Sequence, residues 1–199
     1  MAASSAQTPK NHLATFADLL RIPEAERRHE ILDGEIVQRL MPGGEHGDTH
    51  SGVLISLGGF RRQTGGPDRP GGWRILITPT VRLSAHQVVE PDLAGWRLAR
   101  MPERPSGYPL TLRPDWVCEI MCDSDARRRD GLLKRRIYAD HGVPHYWLVD
   151  TERERLQVLR LGEFGYEEVL DVDRGQRVRA EPVDAMELAV GVLFGDDPE

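Results

Sequence analysis

The stretch DWVCEIMCDSD, residues 115 to 125, carries a carboxylate where a strand has little room for one. Trp116, Val117, Cys118, Ile120 and Met121 make a short apolar run around Glu119. Burying a lone carboxylate costs several kcal/mol unless something binds it. A second acid, Asp92, stands in VVEPDLAG, directly after Pro91. If the two strands are neighbours, Asp92 and Glu119 converge. Two close carboxylates repel, so they shift pKa or recruit a cation. Hard oxygen ligands favour Mg²⁺ or Mn²⁺, with waters completing the shell. Such an ion stabilises charge developing on a phosphate or activates a water. The plainer alternative is that each acid is separately solvated or paired with an arginine.

Strand alternation sorts the neighbours of Glu119. Asp115, Val117, Glu119 and Met121 share one face, and Trp116, Cys118, Ile120 and Cys122 the other. Glu119 therefore points away from the cysteines. A C-x-x-x-C pair without a second cysteine pair falls short of a zinc site. In the segment after the strand, Asp130, Leu133, Lys134, Ile137 and His141 fall on one helical stripe. Lys134 borders it. Its ammonium either reaches the carboxylates, to orient water or neutralise a phosphate, or snorkels to the surface.

The elements that must position these residues follow from pattern and turn chemistry. Thr15 caps a short helix, FADLLRI. RHEILDGEIVQRL is a hairpin turning at Asp33-Gly34, because a tight primed turn needs positive φ. A helix starts near Asp48 or Thr49, with Val53, Leu57 and Phe60 at helical spacing. WRILITPTVRL and QVVEPDLAGWRL are rich in β-branched residues. A long proline-rich connection leads to the strand of Glu119. Ser124 or Asp125 then caps a helix of roughly residues 126 to 140, ended by His141-Gly142. VPHYWLVD is a buried strand, and a strand–helix–strand unit of this length implies a parallel pair. RLQVLRL, GYEEVLDV and RVRAEP read as hairpins, and MELAVGVLF as strand or helix. The fold class is mixed α/β. Residues 1–14 are expected to be a disordered tail and 15–199 one domain, with 153–199 a C-terminal β-hairpin extension.

Composition narrows the function classes. The chain has 199 residues, 39% hydrophobic and 29% charged, with net charge −6. No apolar run approaches the ~18 residues of a membrane span, and MAASSAQTPKNH lacks an apolar h-region, so no secretory signal is expected. Two cysteines do not make a disulfide scaffold. The expectation is a cytoplasmic protein. Its acidity argues against non-specific coating of nucleic acid. Yet RRRDGLLKRR, residues 127 to 136, is locally basic. Arg127, Arg128, Arg129 and Arg135 there are candidate phosphate contacts, or simply a solvated helix face.

Three runs, EILDGEIVQRLMPGGEHGDTH, VVEPDLAGW and PDWVCEIMCDSDARRRDGLLKRRIYADHGVPHYWLVD, occur in this order. Together they resemble the Uma-type family of restriction endonucleases in the PD-(D/E)xK superfamily, over roughly residues 15 to 162. The resemblance implies a restriction-endonuclease-like core of mixed sheet flanked by helices. It also implies Mg²⁺- or Mn²⁺-dependent cleavage of DNA phosphodiesters. Asp92 matches the PD aspartate and Glu119 the second acidic ligand. Where the superfamily places a lysine two positions after that glutamate, this chain has Met121, and Lys134 matches a lysine supplied by the next helix. His50, Glu30 and Glu35 match supporting positions. The chain departs from the family at Cys122-Asp123-Ser124-Asp125, where Ser-Pro-Ser-Thr is common; the extra acids add negative charge there. Two other readings stay open: a non-catalytic module binding nucleic acid or protein, and a structural protein whose Glu119 pairs with an arginine. By analogy, two strands call for two sites, hence a homodimer.

Overall fold

A computed structural model describes residues 12–39, 41, 43–60 and 71–197. The expected tail lies outside these residues up to position 11. Ala14, by contrast, belongs to the fold: it is buried, and its amide donates to the Gly34 carbonyl at 2.8 Å. Helix α1 (Phe16–Leu20) follows, with the Thr15 amide donating to Asp18 Oδ2 at 2.8 Å. Strands β1 (His29–Leu32) and β2 (Glu35–Gln38) form the expected hairpin. Asp33 and Gly34 turn it with φ of 52° and 78°, the left-handed pair that a primed turn demands.

Helix α2 (Gly44–Ser56) begins four residues earlier than the sequence suggests. Its glycine-rich first turn reads as loop by propensity, and tertiary contacts of His46 and His50 hold it in the helix. Strands β3 (Trp73–Ile77), β4 (Val81–Ser84), β5 (Gln87–Val89) and β6 (Leu93–Arg97) come next. Then β7 (Trp116–Met121) leads into one helical segment. It runs as α3 (Ser124–Arg128), a wide π turn (Arg129–Lys134) and α4 (Arg135–Asp140). Asp123 is the actual cap, its Oδ1 accepting from the Ala126 amide at 2.7 Å. The additional acid is thus engaged at the positive end of the helix. Strands β8 (His145–Asp150), β9 (Arg155–Gly162), β10 (Gly165–Asp173), β11 (Arg177–Val178) and β12 (Leu188–Ala189) complete the chain, before a 3₁₀ turn, Val190–Phe194.

The main sheet has the order β10-β9-β8-β7-β6-β3, and only β7 and β8 run parallel within it. The hairpin beyond residue 153 therefore extends this sheet through β9 and β10. A smaller sheet, β2-β1-β5-β4, delivers Glu30 and Glu90 toward β6 and β7. Both faces of β7 are covered. Trp116, Cys118 and Ile120 pack with Val53, Leu57 and Phe60 and with Val190 and Leu193. Val117 and Met121 pack with Leu32, Ala126, Ile137 and Tyr138 on the opposite side. Glu119 shares that second side by alternation. Among the described residues no helix is long and apolar enough to cross a membrane.

Gly52 shows how closely α2 is seated. A methyl group there would stand 2.3 Å from the Val192 carbonyl oxygen and 3.0 Å from Leu193 Cα. Gly52→Ala should therefore destabilise by about 1–3 kcal/mol, although alanine favours a helix by about 1 kcal/mol. Thermal unfolding checks this; a raised Tm would show that the 3₁₀ turn does not press on α2.

Candidate active site

Strands β6 and β7 set the centre. They are antiparallel with Leu93 opposite Cys118, so Asp92 and Glu119 lie at the same level of adjacent strands. Pro91 and Asp92 end the link from β5, and Asp92 Oδ2 accepts from the Ile120 amide at 2.8 Å. Asp92 Oδ1 accepts from Arg39 Nη2 at 3.1 Å and lies 3.2 Å from His46 Nε2. Burial pushes the Asp92 carboxyl up, but the His46 contact, the Ile120 amide and Arg39 together hold it below the usual range.

Glu119 is met from the helical segment. Its Oε1 accepts from Lys134 Nζ at 3.0 Å and from Tyr138 Oη at 2.7 Å. Its Oε2 accepts no hydrogen bond from the described residues, and Glu119 lines a cavity of about 600 Å³. Lys134 is 1% exposed, which removes the snorkelling alternative. Its ammonium also lies 2.9 Å from Glu30 Oε1 and 3.7 Å from Asp130 Oδ1. The π turn contributes here. The Arg135 amide reaches back five residues to the Asp130 carbonyl, and such widening re-aims the side chains around it. Lys134 moves from the border of the stripe to its buried centre.

The charges do not balance. Among the described residues, Glu30, Glu90, Asp92, Glu119 and Asp130 are five carboxylates, and Arg39, Arg129 and Lys134 are the three Lys or Arg cations paired with them. Fully ionised, the cluster has two negative charges in excess. Glu119 carries the strain: burial first, then Asp130, Asp92 and Glu30, outweigh Lys134 and push its carboxyl up to about 8. Burial works against the charge on Lys134, yet Glu119, Glu30 and Asp130 raise its pKa.

Among the described residues no three His, Cys, Asp or Glu side chains form a closed metal cage. Mg²⁺ is held by one or two carboxylates with waters and substrate phosphates. Asp92 and Glu119, whose Oε2 accepts no hydrogen bond from the described residues, are such a pair of carboxylates. The arginine alternative for Glu119 does not hold, since the guanidinium of Arg39 sits on Asp92 and Glu90 instead.

The other expected residues divide. Glu30 lies in the cluster, its Oε1 also accepting from the Glu90 amide at 2.7 Å. His50 Nε2 lies 3.0 Å from the Asp92 carbonyl oxygen and lines the cavity. Burial lowers its pKa. Glu35 is exposed beside the hairpin turn, opposite Leu32 and outside the cavity lining. Of the four arginines, Arg129 is bound to Asp130 inside the cluster. Arg127 pairs with Asp150 and Glu152, and Arg135 donates to the Tyr166 carbonyl. Arg128 alone is exposed without a partner among the described residues. Cys118 and Cys122 are free, and burial pushes both thiols up. Arg39, His46 and Glu90 escaped the sequence reading. His46 was legible as the i−4 neighbour of His50 once the helix is allowed to start at Gly44.

The crystal structure of "a putative nuclease belonging to DUF820" from Anabaena variabilis superposes on the chain with a TM-score of 0.72. The two are 23% identical over 90% of this chain and 97% of that one, a likeness that shows the fold. No curated protein matches the chain. The sequence profile of Uma2, described as "Putative restriction endonuclease", spans residues 16–191 and so contains every residue of the cluster; the chain belongs to that family.

Proposed function

We propose that the protein is a divalent-metal-dependent endonuclease that hydrolyses DNA phosphodiester bonds in the cytoplasm. The observation that carries this reading is the meeting of Asp92 and Glu119 on adjacent strands, both lining one cavity. Asp92 and Glu119 would hold Mg²⁺ or Mn²⁺, which supplies Lewis-acid stabilisation of phosphate charge and a more acidic bound water. The remaining roles fall to the chain itself. The Ile120 amide and His46 fix Asp92 in its ionised form. Lys134 and Tyr138 occupy Oε1 of Glu119 and leave Oε2 toward the cavity. Lys134 donates to Glu119 and its ammonium also lies within ion-pair distance of Glu30 and Asp130, so its role is to hold Glu119 in place.

The test is incubation of single- and double-stranded DNA with the protein and Mg²⁺ or Mn²⁺ across pH. Glu119 keeps a proton below about 8, and an ion must displace it. Mn²⁺ affinity should rise by up to about tenfold per pH unit toward pH 8 and flatten above it. Affinity independent of pH below that point would remove Glu119 from the ligand set. One observation favours a second reading, a non-catalytic DNA-binding module: Arg39 already contributes a cation at Asp92. DNA binding without cleavage under either metal would select it.

A further inference from the structure

Two arginines at the cavity wall have no anion among the described residues. The pairing of β1 and β2 continues one step beyond His29 and Gln38, where the Arg39 amide donates to the Arg28 carbonyl at 2.8 Å. Arg28 and Arg39 thus stand opposite each other as a cross-strand pair. Like charges in that relation are destabilising unless each finds a counter-charge. Arg39 has Glu90 and Asp92. Arg28 is exposed and, among the described residues, donates only to the Met41 thioether, a weak acceptor with no charge. Arg27, beside it, is held by carbonyl oxygens. Its Nε and Nη2 donate to Ile22 at 3.1 and 2.9 Å, and Nη2 also to Leu20 at 3.1 Å. Those bonds fix the guanidinium without neutralising it, and Nη1 has no acceptor among the described residues.

Both side chains line the cavity of Asp92 and Glu119. Its other cations, Arg39, Arg129 and Lys134, are each matched to carboxylates. Arg28 stands two residues before Glu30, on the same face by alternation and about 7 Å farther along the extended chain. That is the scale of one step between neighbouring phosphates of a nucleic-acid strand.

Resting on the nuclease reading above, we infer that Arg28 and Arg27 form a subsite for the phosphate next to the scissile one on a DNA strand. Arg28 supplies a free guanidinium fork, suited to two phosphate oxygens; Arg27 supplies Nη1 in a fixed place. The subsite takes the backbone and ignores base identity.

The experiment is anisotropy titration of labelled single-stranded and duplex oligonucleotides across a salt series, in EDTA and in Ca²⁺, with the full chain. Arg28→Gln should weaken binding at low salt by about fivefold or more. It should also flatten the dependence of log affinity on log salt by about 0.9 for duplex or 0.7 for single strands. Arg28→Lys should keep the slope. Because the variant removes an uncompensated like-charge neighbour of Arg39, its Tm should stay level or rise, which separates lost binding from lost folding. Wild-type protein that binds no oligonucleotide would overturn the nuclease reading itself. Wild-type binding with unchanged affinity and slope in Arg28→Gln would overturn the subsite alone.

Discussion

Glu119→Gln is expected to abolish DNA cleavage, by about a thousandfold or more, while leaving the fold intact. The size follows from what one carboxylate does at such a site. Stabilising charge on a transferring phosphoryl group is worth several kcal/mol, and each 1.36 kcal/mol is tenfold in rate. Glutamine keeps the shape and the acceptor that Lys134 and Tyr138 use at 3.0 and 2.7 Å. It loses the charge. The stability effect has a definite sign. The folded-state pKa of Glu119 lies above its ordinary value of 4.5, at about 8. The wild-type chain therefore loses stability from this group as pH rises from about 4.5 to about 8. Glutamine does not titrate, so the variant should match or exceed wild type in Tm above that window. Cleavage retained at the wild-type rate would remove Glu119 from the chemistry. A collapsed Tm would make it a structural residue.

The second large effect is on stability. Lys134→Met should destabilise by about 3–5 kcal/mol near neutral pH, because it leaves Glu30, Glu119 and Asp130 buried without their shared cation. Methionine fills similar space, so little of the loss is cavity formation. The pH dependence separates the causes. Without the ammonium the carboxylates titrate higher still, and the folded state takes up protons that the unfolded chain has lost. The deficit should be largest above about pH 8 and should shrink as pH falls toward about 5. In the wild type the raised Lys134 pKa works at the other end: its contribution is complete below the ordinary value of 10.5 and is lost as pH climbs beyond it. Urea unfolding at about pH 5 and about pH 9 measures this directly. A deficit equal at both would assign the loss to packing.

Glu119 announced itself as an acid inside WVCEIM, since an apolar strand tolerates a carboxylate only where something binds it. Asp92, the Asp33-Gly34 hairpin and the parallel pair of β7 and β8 were legible for similar reasons: proline geometry, positive φ and crossover length are local properties. Lys134 was legible as a position on a helical stripe, though not as a buried residue.

The sequence by itself determined the elements, their alternation of faces and the acids that had to be explained. It also carried the ordered motifs by which the family is known. Tertiary structure alone decided what neutralises what. Arg39 reaches Asp92 and Glu90 from 53 and 51 residues away, and no period in the chain encodes that pairing. His46 entered the site because α2 begins in a glycine-rich turn that propensity disfavours and the contact to Asp92 sustains. The π turn, which centres Lys134, is likewise sustained by tertiary bonds, Tyr146 donating to the Asp130 carbonyl at 2.9 Å. The basic run shows the limit most plainly. Its composition suggests an open phosphate-binding face, yet Arg127, Arg129 and Arg135 are bound within the protein. Among the described residues the unmatched cations at the cavity are Arg27 and Arg28, which composition does not distinguish from the chain's other arginines. Charge in a sequence is a count, and only the folded chain shows which charges have already met their partners.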